Sequence, residues 1–193
     1  MARRMARGGV MPSTITLATP VLTLVVCLFF VRTRAILPFC IIMLIIGCLD
    51  ALDGAVARAG GRVTKLGAYL DAMCDRYVEG MVAVAVAVVT GYWVLLMLLL
   101  TGSMLVSYAK ARAAMEVPVS NLEWPDVMER TERGVLFLLG FAISAVCSWR
   151  PLGHDLFWWT VVLLTALTHF TIVQRILRAS RFIVERSKQV HRP

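Results

Sequence analysis

The feature that most limits how this chain can fold is a succession of apolar stretches, near residues 15–31, 36–57, 67–90, 92–113, 134–149 and 156–175. Each is close to the roughly 17–25 residues that a helix needs to cross the hydrocarbon of a bilayer. Inside lipid every backbone N–H and C=O must find a partner within the chain, so only helices or closed barrels can span it. The run Val82-Ala83-Val84-Ala85-Val86-Ala87-Val88-Val89 alternates like a strand. It lies in a stretch too long for one barrel strand, and it reads as a helix with small residues for close packing. Composition agrees, since 59% of the 193 residues are hydrophobic, against about 45–50% in soluble domains. The expectation is an all-α integral membrane protein of six transmembrane helices, forming a single membrane domain over 1–193.

Charge then orients it. An even number of spans leaves both termini on one side, and of the 20 Lys and Arg residues only Arg32, Arg34 and Arg150 fall on the other. Cytoplasmic loops carry the excess of basic residues, so both termini belong in the cytoplasm and the protein in the cell membrane as a multi-pass chain. Topology thereby accounts for the net charge of +8, and nucleic acid is not an expected partner. At the N-terminus, Arg3, Arg4 and Arg7 alternate with Met1 and Met5 ahead of Pro12. Residues 1–12 read as a short juxtamembrane amphipathic helix on anionic headgroups, and 176–193 as a basic cytoplasmic tail. A signal peptide fits less well, because the apolar run that follows is too long and no small-x-small cleavage pattern ends it. Cys27, Cys40, Cys48, Cys74 and Cys147 are scattered singly and read as packing residues, not zinc ligands or a disulfide framework.

Against this background four aspartates stand out: Asp50, Asp53, Asp71 and Asp75, at the cytoplasmic ends of the second and third spans. A carboxylate near lipid costs a few kcal/mol or more unless it is paired, wet or metal-bound. Asp50 and Asp53 (i, i+3) share one helix face, and Asp71 and Asp75 (i, i+4) share another. Brought together, such charges must take up protons or hold cations, and oxygen-only ligands suit Mg²⁺, Mn²⁺ or Ca²⁺. Gly54, Ala57 and Gly67 remove bulk where backbone or ligand approaches closely, and Arg58 adds a positive charge. Carboxylates, divalent ions and an arginine are suited to holding and cleaving a phosphoanhydride.

The full pattern is Asp50-x2-Asp53-Gly54-x2-Ala57-Arg58-x8-Gly67-x3-Asp71-x3-Asp75. It resembles the signature of the CDP-alcohol phosphatidyltransferases, and the six-span layout extends the likeness to nearly the whole chain. The resemblance implies transfer of a phosphate-linked group from a CDP-alcohol to an acceptor hydroxyl, with CMP leaving. It implies two divalent cations, magnesium with manganese as the alternative, held by Asp50, Asp53, Asp71 and Asp75. Asp75 would also be the base, and Asp50, Asp53, Gly54, Ala57, Arg58, Thr64 and Gly67 would line the nucleotide. Relatives often form homodimers, which small-residue helix faces permit.

Three further stretches resemble the inositol-phosphate-accepting branch: Leu70-Asp71-x3-Asp75-Arg76, Ser107-Tyr108-Ala109-Lys110-Ala111-Arg112-Ala113 and Glu129-Arg130-Thr131-Glu132-Arg133, with Gln174-Arg175 in the last span. The implied reaction joins CDP-diacylglycerol and inositol 1-phosphate, or another polyol phosphate, into phosphatidylinositol phosphate. Lys110, Arg130 or Arg133, and Arg175 would cradle the acceptor phosphate. Basic residues at inner helix ends also arise from snorkelling and topology alone. Ala114 replaces the branch's Glu, and Pro12-Ser13 its Pro-Asn. Glycerol 3-phosphate as acceptor, and a CDP-inositol-dependent synthesis of a soluble phosphodiester, are the alternatives within this chemistry. A divalent-cation transporter is the alternative outside it, although its acids belong at mid-membrane within inverted repeats. His169 reads as a core histidine, His154 and His191 as loop and tail, and Glu79 as an extension of the Asp71 and Asp75 face.

Overall fold

The computed structural model describes residues 12–59, 64–116 and 130–190, with the backbone alone at 12–17, 52–59 and 185–190. Six α-helices follow in order: α1 (Pro12–Thr33), α2 (Ile36–Ala59), α3 (Lys65–Thr90), α4 (Trp93–Glu116), α5 (Arg130–Val146) and α6 (Leu156–Val190). Among the described residues there is no strand, and Val82–Val89 is helical. Packing divides the chain into two compact units, Met1–Trp93 and Val94–Pro193. The expected amphipathic segment ahead of Pro12 lies outside the described residues.

In the first unit α1 packs against both α2 and α3. Its buried layer takes Val26, Cys27 and Phe30 from α1, Phe39, Cys40 and Met43 from α2, and Ala83, Val86 and Ala87 from α3. Phe30 and Phe39 stack across the α1–α2 turn, with ring centroids 4.2 Å apart. That turn is made by Arg34, which has a left-handed φ of 54° and whose N–H donates to Phe30 O at 2.7 Å. Such an ending normally falls to glycine, and Gly91 (φ 79°) ends α3 in that way.

In the second unit α5 and α6 pack through Phe137, Phe141 and Phe157, with Phe157 4.3 Å from Phe141 between centroids. The helix expected at 134–149 lies earlier, because Arg130 and Glu132 form its first turn. At the other end Trp149 and Arg150 precede Pro151, which disfavours helix before it. A 3-10 turn, Pro151–Gly153, leads to Asp155, whose carboxylate accepts the Trp158 N–H at 2.8 Å and caps α6. α6 continues from the expected limit at 175 to Val190.

Among the described residues two helices, Trp93–Glu116 and the Leu156–Val184 part of α6, are long and apolar enough to cross a membrane, and Ala18–Thr33 and Ile36–Ala51 are shorter apolar helices. At 24 residues and about 1.5 Å per residue, α4 exceeds the roughly 30 Å of a hydrocarbon core. Many large apolar side chains point outward, among them Val21 (65% exposed), Leu28 (63%) and Val94 (75%). Apolar exposure on this scale within each unit fits a surface that meets something other than water.

Candidate functional site

The acidic site begins with the helix that carries half of it. Thr64 caps α3, its Oγ1 accepting the Gly67 N–H at 3.0 Å. This fixes where the helix starts and so places Asp71 and Asp75 one turn apart on one face. Asp50, in the C-terminal half of α2, meets them: one carboxylate oxygen from each of Asp50, Asp71 and Asp75 can be chosen such that all lie within 4.8 Å of one another. Asp50 and Asp75 are half-buried and Asp71 is exposed. Two oxygens on one Mg²⁺, each at about 2.0–2.1 Å, lie up to about 4.2 Å apart. Small side-chain adjustments therefore bring this group onto a hard divalent cation, and the all-oxygen donor set suits one. The fourth expected ligand, Asp53, follows on α2 with Gly54, Ala57 and Arg58, whose side-chain placements lie outside the described residues.

Thr64 and Gly67, expected to touch nucleotide, are thus first seen holding the helix start. A Cβ at Gly67 would stand 3.0 Å from Thr64 Oγ1, so a side chain there would press on the cap. The Thr64 oxygen is engaged as acceptor in that cap, while its O–H keeps a proton for a further acceptor. Glu79 continues the acidic face, yet its carboxylate is met by Arg76 Nη1 at 2.8 Å.

The second unit gathers the basic residues. Arg133 and Arg175 are 6% and 5% exposed, and a guanidinium so buried requires hydrogen-bond acceptors. Arg133 Nη2 donates to Ser103 Oγ at 2.9 Å, and Arg175 Nη1 donates to the Val106 carbonyl. Two arginines from α5 and α6 therefore close on one face of α4, where Ser103, Val106 and half-buried Lys110 follow at i, i+3 and i+7. Arg130 is half-buried at the start of α5. Ser103 belongs to none of the sequence motifs; its one signal in the sequence is a Gly102-Ser103 pair interrupting a leucine-rich span. Arg112 instead pairs with Glu116 at 2.6 Å on the surface. His169 is bonded within its own helix, Nδ1 lying 3.0 Å from Thr165 O. Its ring rests over Gly102, where a Cβ would be 2.9 Å from Cε1.

A family model described as CDP-alcohol phosphatidyltransferase matches residues 9–169. An archaetidylinositol phosphate synthase from Pyrococcus horikoshii is 31% identical over 183 residues, covering 94% of this chain and 89% of that protein. A phosphatidylinositol phosphate synthase from Corynebacterium glutamicum is 28% identical over 193 residues, covering 94% and 83%. Among solved structures, the Mycobacterium tuberculosis phosphatidylinositol phosphate synthase with CDP-DAG bound is similar with a TM-score of 0.78 at 26% identity, covering 92% of this chain and 90% of that one. The same enzyme in complex with manganese and citrate gives a TM-score of 0.77 at 26% identity, covering 92% and 86%.

Proposed function

The chain belongs to the CDP-alcohol phosphatidyltransferase family, and from that premise we propose that it transfers the phosphatidyl group of CDP-diacylglycerol to a hydroxyl of inositol 1-phosphate. CMP leaves and phosphatidylinositol phosphate is formed. The observation that carries this reading is the convergence of Asp50, Asp71 and Asp75 from two helices in the order and spacing of the family pattern. The relatives named for inositol phosphate products and the two buried arginines of α5 and α6 that close on α4 support the choice of acceptor.

Asp50, Asp53, Asp71 and Asp75 would hold two divalent cations, magnesium in the first place. When bound, such ions neutralise the pyrophosphate and stabilise the charge that develops on departing CMP. Asp53, Gly54, Ala57, Arg58, Thr64 and Gly67 line the nucleotide with Asp50. Asp75 accepts the proton of the incoming hydroxyl. The acceptor oxygen then bonds the phosphorus bearing the diacylglycerol, the bond from that phosphorus to the bridging oxygen breaks, and CMP carries that oxygen away. Lys110, Arg130, Arg133 and Arg175 bind the acceptor's phosphate, a dianion for which several charge-assisted donors are needed. The chain crosses the cell membrane six times with both termini and the carboxylates at the cytoplasmic side, and pairs with itself through small-residue faces.

An acceptor screen following CMP release tests the reading. Purified protein with Mg²⁺ and CDP-diacylglycerol should release CMP when inositol 1-phosphate is added and not without it. Faster release with glycerol 3-phosphate, serine or unphosphorylated inositol would move the assignment to another acceptor.

A further inference from the structure

We infer that Ser103, a residue outside the acidic signature and the basic motifs, is a positioning residue for acceptor binding: its hydroxyl fixes the Arg133 guanidinium that receives the phosphate. The inference rests on the proposed role of Arg133 in the acceptor site. Ser103 is 1% exposed and Arg133 6%, and their side chains meet across 30 residues of sequence at 2.9 Å. A buried hydroxyl in an apolar helix is retained at a cost unless it is bonded. Here the oxygen accepts from a cation, the stronger kind of hydrogen bond.

An arginine side chain carries large rotamer freedom, and its planar fork is useful only when its direction is set before the anion arrives. Ser103 supplies that direction from one edge of the guanidinium. Arg175 is held differently, on the backbone carbonyl of Val106, three residues further along the same helix. A carbonyl is present whatever side chain stands there, so of these two contacts only the one to Ser103 depends on residue identity. Gly102 next to it has no side chain, and Thr168 and His169 of α6 occupy that space, where a Cβ would come within 3.0 Å of Thr168 Cγ2. The α4 backbone is thereby set close to α6, and Ser103 is presented from a tightly packed position instead of a mobile one.

The test compares wild type with Ser103→Ala, Ser103→Thr and Ser103→Cys in the CMP-release assay, using inositol 1-phosphate as acceptor and orthophosphate as competitive probe. Ser103→Ala should raise the KM for inositol 1-phosphate about ten- to hundredfold, the ratio that corresponds to losing one charge-assisted hydrogen bond. The inhibition constant of orthophosphate should rise by the same factor, while kcat and the KM for CDP-diacylglycerol stay within about threefold of wild type. Ser103→Thr, which keeps the hydroxyl, should restore acceptor KM, and Ser103→Cys, a weaker acceptor of similar size, should fall between. An unchanged acceptor KM in Ser103→Ala overturns the inference, as does a parallel rise in both substrates' KM values, which is the signature of a helix–helix tie alone. If Ser103→Ala does not fold, the Cys variant is read by the same criteria. Wild-type protein that ignores inositol 1-phosphate would instead remove the proposed acceptor, a result distinct from an unresponsive Ser103.

Discussion

At the scale of single residues, charge and shape can be separated at the acidic cluster. Asp75→Asn preserves volume and hydrogen-bonding capacity while removing the negative charge and the basicity. Loss of a positioned general base costs about 10²- to 10⁴-fold in rate, so CMP release by Asp75→Asn should fall at least that far. Because Asp50 and Asp71 remain within reach of one another, binding of CDP to the variant, followed by calorimetry, should be weakened but measurable. A variant that turns over normally would place the base elsewhere. The three carboxylates were legible beforehand because acids at the ends of apolar runs have few reasons to exist. The local work of Thr64 was less so. Its cap on Gly67 and a nucleotide contact require the same residue types, and sequence cannot distinguish them. Gly102-Ser103 marks a break in a leucine-rich span, but the pairing was not legible, since Arg133 lies 30 residues away and no local pattern links a serine to an arginine on another helix.

At the scale of helices, apolar length located the six elements, and errors collected at their ends, where chemistry more local than hydropathy decides. Arg34 ends α1 in a conformation that favours glycine, so no glycine signal marks it. Glycine has a different use inside α5. A Cβ at Gly140 would overlap the Thr160 side chain of α6, with Oγ1 only 2.6 Å away. Thr160 cannot readily give way, being β-branched and held by its own hydrogen bond to Leu156 O at 2.9 Å. Gly140→Ala gains up to about 1 kcal/mol of helix propensity, whereas overpacking costs about 1–3 kcal/mol. The overlap should win, lowering the thermal midpoint in detergent. The double variant Gly140→Ala with Thr160→Ser, which removes the methyl group, should recover part of the loss. An Ala variant as stable as wild type would mean that α5 and α6 can separate here without penalty.

For the molecule as a whole, the distribution of charge carries more information than its sum. If the six helices cross the membrane, Arg32, Arg34 and Arg150 stand alone on one side and the other Lys and Arg residues share the opposite one. Such an asymmetry is what fixes orientation during insertion. The extension of α6 to Val190 fits this placement, because a 35-residue helix is about 52 Å long and outruns the roughly 30 Å of hydrocarbon. Its surplus carries Arg178, Arg181, Arg186 and Lys188, which belong in water or among headgroups. Cysteine labelling in intact cells can measure the result. With the native cysteines replaced, Trp149→Cys at an exposed site should react with an impermeant maleimide from outside. Ser180→Cys, exposed on the α6 extension, should react only after permeabilisation. Reversal of the two would put the carboxylate cluster on the outer face, away from a cytoplasmic nucleotide donor, and the proposed reaction could not then draw on that pool. Equal labelling of both positions in intact cells would mean that α6 does not cross the membrane between them, and the six-span topology would fall.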